Sequence, residues 1–142
     1  MKITRLLRAF ALRISMSDYL PLCTRRLFVR LGGVQFGKSF FVGQGVVFDS
    51  VNPINIRIGN HTTIALRCVI LAHEVKPFGD FHVFENGRVT IGNNVFIGAH
   101  TIITRSVTIG DNVIIGAGSI VTHDIPSGEL WAGNPAHFIK KL

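Results

Sequence analysis

From Val89 onward the sequence repeats with a period of six residues. Six consecutive hexads, each beginning with Ile or Val, occupy positions 91–126 as IGNNVF, IGAHTI, ITRSVT, IGDNVI, IGAGSI and VTHDIP. Looser hexads precede them at 36–47 and 58–75. A period of six does not fit an α-helix, and abutting hexads leave no room for the turns of a hairpin sandwich. The repeat therefore predicts a solenoid in which the leading aliphatic side chains of successive coils stack on one another.

Glycine occupies the second position in four of these six hexads, at residues 92, 98, 110 and 116. A residue without a Cβ can adopt backbone conformations that other residues avoid. The pattern therefore predicts that the chain takes such a conformation at the second position of each hexad. The fourth position carries His61 and His100, which we expect to lie on turns.

The composition bounds the class of protein. The chain has 142 residues, of which 47% are hydrophobic and 16% charged, which suits one packed domain and excludes a disordered chain. Charged residues, Asn or Gly interrupt every apolar run, so no segment is predicted to span a membrane and a cytoplasmic protein is expected. Cys23 and Cys68 are too few for a disulfide framework or a structural zinc site, and we expect both to be reduced and buried.

The first 30 residues carry most of the positive charge, with seven Lys and Arg against one Asp, a net charge of +6. Apolar residues recur there at spacings of three and four, at Ile3, Leu6, Leu7, Phe10 and Ile14, which predicts an amphipathic helix. Such a helix either caps the end of the solenoid or contacts a membrane surface through residues 2–30, and the pattern leaves both open. Nucleic-acid binding is not expected, because no recognised binding module is present.

The run from Ile91 to Leu142, above all IGAGSIVTHDIP followed by AGNPA, resembles the hexapeptide-repeat acyltransferases. The subgroups most similar to it are the maltose, galactoside and surface-polysaccharide O-acetyltransferases, over residues 34–142. The resemblance implies an all-β repeat fold, a left-handed parallel β-helix at 34–126, assembled as a homotrimer. A helical segment at 1–33 would cap it, and a tail at 127–142 would follow. The left-handed sense rests on the resemblance alone, since parallel crossovers are generally right-handed.

The hexads stop between His73 and Arg88, where EVKPFGDFHVFENGR intervenes as a predicted extruded loop at 74–88. In the family the catalytic histidine ends a hexad just before such a loop, and His73 occupies that place. An imidazole suits a general base that takes a proton from an acceptor hydroxyl. The resemblance also implies that Glu74 orients this imidazole and that the backbone amide of Ala99 binds the developing oxyanion.

The resemblance implies that acetyl-CoA is the cosubstrate, held in a groove between adjacent subunits, with no metal. By motif position the CoA contacts fall on Ala99, Ala117, Thr122, His123, His137 and Lys140. At positions 123 and 137 the sequence departs from the family, which often has Lys and Arg there. This departure predicts weaker or pH-dependent phosphate binding.

On the acceptor side the resemblance gives less, and the candidate contacts are Gln44, Asp49 and His82. The function implied is acetyl transfer from acetyl-CoA to a hydroxyl of a saccharide, in surface-polysaccharide synthesis near the inner membrane face. Two alternatives belong to other classes: a noncatalytic trimeric scaffold, and a zinc carbonic-anhydrase-like β-helix. The second needs three histidines around a metal, and His61, His73 and His100 lack the family's five-residue spacing.

Overall fold

A computed structural model describes residues 2–75, 84–104 and 106–142 of the chain. Two helices, α1 (Lys2–Ser15) and α2 (Leu22–Leu31), precede a solenoid of short strands. The chain visits three parallel sheets in the same order in every coil, so that each strand pairs with its equivalents one coil earlier and one coil later. Four coils are complete, and the C-terminal residues begin a fifth.

Most strands contain two or three residues. The first sheet comprises β1 (Gln35–Phe36), β4 (Ile56–Ile58), β9 (Val89–Ile91) and β12 (Val107–Ile109). The second comprises β2 (Phe41–Val42), β5 (Thr63–Ile64), β10 (Phe96–Ile97), β13 (Ile114–Ile115), β15 (Glu129–Ala132) and β16 (His137–Lys141). The third comprises β3 (Val47–Phe48), β6 (Val69–Ile70), β11 (Ile102–Ile103) and β14 (Ile120–Val121). All pairings in these sheets are parallel except that of β15 with β16, which is antiparallel.

Three corners connect the sheets, and they position the functional residues. The first corner, between the first and second sheets, contains residues 38–39, 60–61, 93–94 and 111–112. The second corner, between the second and third sheets, contains residues 44–45, 66–67, 99–100 and 117–118. The third corner, which leads from the third sheet back to the first, contains residues 49–52, 72–73, 104 and 122–124.

The leading residue of each hexad forms the interior, as predicted. Ile64, Ile97 and Ile115 pair in register through the second sheet, and each is 0% exposed. The equivalent columns of the other two sheets are also buried: Ile58, Ile91 and Ile109 in the first sheet, and Ile70, Ile103 and Val121 in the third. Each such side chain contributes roughly 1.5–3 kcal/mol by leaving water. Because no hexad buries its apolar side alone, stacking holds the solenoid together.

The reason for the second-position glycines differs from the predicted one. None of them has a positive φ; instead, a Cβ there would collide with the next coil. At Gly59 it would lie 2.5 Å from the carbonyl carbon of Gly92, and at Gly98 2.5 Å from the amide nitrogen of Ala117. The left-handed conformation falls two residues later, at His61 (φ 54°) and His100 (φ 60°), which confirms both as turn residues. Close approach of the coils therefore selects these glycines.

The two helices pack on each other and on the first coil. Arg25 is 1% exposed, and its Nη2 donates to the carbonyl oxygens of Ser17 (3.2 Å) and Leu20 (2.9 Å), which secures the connection between the helices. Cys68 is buried as expected, but the prediction for Cys23 is wrong, because Cys23 is exposed on α2. Among the described residues, no helix is long and apolar enough to cross a bilayer.

Two insertions interrupt the repeat where the hexad frame shifts. A short 3-10 helix (Pro53–Asn55) lies between β3 and β4. A hairpin leaves the third corner after β6, formed by β7 (His73–Val75) and β8 (Phe84–Asn86), which pair antiparallel. Residues 76–83, including the predicted acceptor residue His82, lie outside the described residues. The hairpin begins at His73, so the structure joins this histidine directly to the extruded segment.

Candidate active site

Asp49 is the most thoroughly held side chain of the third corner. It follows β3 directly, and its backbone N–H donates to the carbonyl oxygen of Ile70 (2.9 Å), so Asp49 lies against the next coil. Oδ1 accepts the backbone N–H groups of Val51 (2.7 Å) and Asn52 (3.3 Å). Oδ2 accepts the backbone N–H of Ala72 at 2.8 Å. The carboxylate is therefore fixed by three backbone donors from two coils.

His73 completes this arrangement. Its Nδ1 lies 2.6 Å from Oδ2 of Asp49, and the His73 side chain is 20% exposed whereas that of Asp49 is 0% exposed. An ionised carboxylate has no hydrogen to donate, so Nδ1 carries the hydrogen and Nε2 of a neutral imidazole has the lone pair. A buried carboxylate that orients a partly exposed imidazole is an arrangement suited to general base catalysis.

This geometry bears on three sequence-based assignments. Asp49, predicted to contact the acceptor, is buried with both oxygens bonded within its own chain, and its Oδ2 contacts His73. Glu74, predicted to orient the imidazole, is not the residue that contacts Nδ1, and it lies in β7 opposite Glu85 of β8. Gln44 lies at the second corner, where its Nε2 donates to the carbonyl oxygen of Asp18 (3.0 Å), so the structure does not bring it to His73.

The residues predicted to contact CoA lie at three places on one chain. Ala99 and Ala117 stack at the second corner, where the N–H of Gly118 donates to the Ala99 carbonyl oxygen (2.8 Å). Within the described ranges, neither alanine N–H has a hydrogen-bond acceptor.

The remaining predicted CoA contacts are polar and largely exposed. Thr122 and His123 lie at the third corner, two coils beyond His73, with Thr122 Oγ1 2.8 Å from His123 Nδ1. His137 and Lys140 are exposed on β16, the outermost strand of the second sheet. The residues predicted to contact CoA thus comprise two alanines at the second corner, a polar pair at the third corner, and exposed His137 and Lys140 on the last strand.

The described histidines do not assemble a metal site within one chain. His61 lies at the first corner, His100 at the second and His73 at the third. In the part of the chain that the structure describes, no group of three metal-ligating side chains occurs. The three-histidine geometry of a carbonic-anhydrase-like site is therefore not formed by these side chains within one chain.

Comparison with known proteins is consistent with this geometry. Residues 88–123 match the family model described as hexapeptide repeat of succinyl-transferase. The protein CapG of Staphylococcus aureus is 40% identical over 122 residues, covering 80% of this chain and 69% of CapG. YvoF of Bacillus subtilis (strain 168), an acetyltransferase by its name, is 37% identical over 114 residues, covering 80% of this chain and 62% of YvoF. The chain thus spans somewhat under two thirds of YvoF. It belongs to the hexapeptide-repeat acyltransferase family.

A solved structure of the family extends the comparison to the whole fold. A galactoside acetyltransferase in complex with coenzyme A superposes with a TM-score of 0.72 and 27% identity, covering 99% of this chain and 81% of that one. The helices and the C-terminal strands of this chain therefore belong to the shared architecture. The Asp49 contact was missed from sequence because 24 residues and a shift of the hexad frame separate it from His73.

Proposed function

We propose that this chain is an acetyl-CoA-dependent O-acetyltransferase whose acceptor is a saccharide hydroxyl, with His73 as the general base and Asp49 as its orienting carboxylate. The observation that carries the proposal is the 2.6 Å contact between His73 Nδ1 and Asp49 Oδ2 at the base of the extruded hairpin. If His73 were only a turn residue, its ring would not need a hydrogen bond to a buried carboxylate that three backbone N–H groups hold in place.

The chemistry follows from the tautomer. Asp49 keeps the hydrogen on Nδ1, so Nε2 removes the proton of the acceptor hydroxyl while that oxygen bonds to the thioester carbonyl carbon. The carbon–sulfur bond then breaks, and the imidazolium returns the proton to the departing thiolate. The products are an O-acetyl ester and the free thiol of CoA. Asp49 stabilises the transient imidazolium, as the aspartate of a Ser-His-Asp triad does.

The proposed cosubstrate site extends between copies of the chain. His73 lies at the third corner, where the strands of the third sheet end, whereas Ala99 and Ala117 lie at the second corner, where those strands begin. Four residues of extended chain, 68–71, separate the two corners in the coil that carries His73, so the corners lie on the order of 15 Å apart. One copy therefore supplies the base, and a neighbour in a homotrimer of left-handed coils supplies the amide donors, with Ala99 as the oxyanion donor.

We assign the CoA phosphates to the polar and cationic side chains farther along the coil, at Thr122, His123, His137 and Lys140. Lys140 is exposed and free to approach an anion. The saccharide acceptor is supported by the galactoside acetyltransferase among the relatives. We assign the acceptor to the hairpin side of His73, and the surface-polysaccharide class of acceptor follows from the resemblance of the C-terminal hexads.

The test is release of CoA thiol from acetyl-CoA in the presence of a panel of mono- and oligosaccharides. We expect His73→Ala to lower kcat by roughly 10²-fold or more with the KM for acetyl-CoA little changed. Asp18→Ala, which removes an exposed carboxylate of the helix connection, is the matched surface control. Near-normal turnover of His73→Ala would remove this residue from the role of base.

Calorimetry with acetyl-CoA separates the scaffold alternative from an enzyme whose acceptor is missing from the panel. We expect binding by the wild-type protein, and weaker binding by the double variant His137→Ala with Lys140→Ala. Lys38→Ala, an exposed lysine of the first corner, serves as the control. A folded protein that does not bind acetyl-CoA would support the noncatalytic scaffold.

A further inference from the structure

The helix α1 turns its most apolar side away from the protein. Among its residues from Thr4 onward, α1 buries Ala11, Leu12 and Ser15, at 8%, 2% and 1% exposure. Leu6, Leu7 and Phe10 are exposed by 72%, 61% and 65%. In a surface helix that only covers a core, the large apolar side chains face inward. This orientation is the reverse, so packing against the solenoid does not explain the exposed row.

A basic side chain adjoins the exposed row. With about 100° per residue, Arg13 projects about 20° from Leu6, whereas Arg5 lies on the flank next to the buried Leu12. Arg13 is exposed, and the first 30 residues hold one acidic side chain against seven basic ones. A second copy of the same surface would bring the Arg13 side chains together, and they would repel. An anionic, apolar-cored surface satisfies both the charge and the exposed row.

The location of α1 relative to the catalytic corner gives this surface a use. Arg5 Nη2 lies 3.5 Å from the carbonyl oxygen of Val51, two residues beyond Asp49. The helix is thus next to the third corner at the N-terminal end of the solenoid. A membrane against α1 would lie beside the end of the solenoid that carries the Asp49–His73 pair.

We propose that α1 lies in the plane of a bilayer that contains anionic lipid, with Leu6, Leu7 and Phe10 inserted among the acyl chains and Arg13 at the headgroups. No catalytic role of His73 is required, so this proposal stands apart from the proposed function. The helix has 14 residues, which suits the interface of a bilayer and is too short to cross one.

The experiment is co-sedimentation of the full chain with vesicles of phosphatidylcholine alone or with roughly one third phosphatidylglycerol. We expect binding to the anionic vesicles that weakens as salt is raised. Leu6→Ser with Phe10→Ser should lower the partition coefficient by about 10²-fold, since each side chain leaves the acyl region. Arg13→Gln should lower it by about fivefold on anionic vesicles only.

Leu66→Ser is the matched control, because Leu66 is an exposed leucine (45%) on the second corner rather than on α1. It should bind vesicles like the wild-type protein, and circular dichroism should confirm that every variant is folded. Equal binding of wild type and Leu6→Ser with Phe10→Ser would overturn the proposal, as would absence of wild-type binding. The wild-type protein could also self-associate in the absence of vesicles through this row. If Leu6→Ser with Phe10→Ser abolished that self-association, the row would be an interface between copies, and the membrane proposal would be overturned.

Discussion

The first and third corners of the solenoid both carry polar side chains, but they use them differently. At the first corner, Oδ1 of Asn93 accepts the N–H of Asn60 (2.8 Å), and Oδ1 of Asp111 accepts the N–H of Asn93 (2.6 Å). Each polar side chain in this ladder satisfies the backbone of the coil before it. At the third corner, Oδ2 of Asp49 also accepts a backbone N–H, that of Ala72 in the next coil. The same oxygen contacts Nδ1 of His73.

In the proposed mechanism, the third corner uses the same structural device for catalysis. The first-corner ladder is exposed, whereas Asp49 is 2% exposed and joins a titratable ring that reaches the surface. A backbone N–H donates a hydrogen bond and does not accept a proton from a substrate. An imidazole whose Nδ1–H is bonded to a carboxylate has a defined tautomer and a lone pair on Nε2 that can accept a proton. Under the proposed function, the third corner reacts through the imidazole that Asp49 contacts, and the backbone hydrogen bonds keep the carboxylate in place.

The largest expected effect is on kcat, and it comes from replacing the Asp49 carboxylate by an amide. Asp49→Asn should lower kcat by about 10²-fold or more, because an amide no longer fixes the hydrogen on Nδ1 of His73. Asp111→Asn, the same change at the first corner, keeps an acceptor oxygen and should leave kcat within about twofold. Steady-state CoA release by both variants and the wild type measures the contrast.

Glu74→Gln belongs in the same assay, since sequence reasoning assigned the orienting role to that carboxylate. If Glu74→Gln lost more activity than Asp49→Asn, the contact at Nδ1 would not be the one that orients the base. Equal losses from Asp49→Asn and Asp111→Asn would mean that both corners act only through stability, and the functional comparison between them would fail.

The interior and the family were accessible from sequence because they depend on local repetition. The leading Ile of each hexad predicted its own burial, and the motif beside the interruption singled out His73. The partner of His73 was hidden because Phe48 pairs with Ile70 across the 3-10 insertion, and the hexad frame does not carry through that segment. Pairing Asp49 with residues 72–73 requires the register of the coils, which a shifted repeat does not supply.

The helix illustrates a different limit. The spacing of Leu6, Leu7 and Phe10 predicted an amphipathic helix over residues that do form one. Periodicity identifies an apolar side but not what covers it. Only the burial of Ala11 and Leu12 on the opposite side shows that the solenoid does not cover it.

A smaller contrast separates the two cysteines. Burial raises the pKa of the Cys68 thiol, whose Sγ lies 3.1 Å from the Gly98 carbonyl oxygen, whereas Cys23 is exposed. Because the thiolate is the nucleophile, iodoacetamide should label Cys23 at least about tenfold faster than Cys68 in the folded protein. Mass spectrometry of labelled peptides, with and without urea, checks this expectation.

The sign of the linked pH effect follows from the same shift. A pKa raised in the folded state favours the protonated thiol there, so its stabilising contribution is present at neutral pH and is lost as the pH rises through the raised pKa. The alkaline loss of stability should therefore shrink in Cys68→Ala relative to Cys23→Ala. Comparable labelling of both cysteines without urea would indicate that the interior opens at the third sheet.

The smallest expected effect tests whether the first corner is only structural. Asn93→Ala removes the acceptor of the Asn60 N–H and the donor to Asp111 (3.1 Å), so the free energy of unfolding should fall by about 1 kcal/mol. Turnover should not change, because the ladder lies at a different corner from His73. Urea denaturation and CoA release measure the two quantities on the same preparation, with Thr108→Ala as an exposed control. A fall in kcat with unchanged stability would show that the first corner also serves the reaction, and the contrast between the corners would then be one of degree.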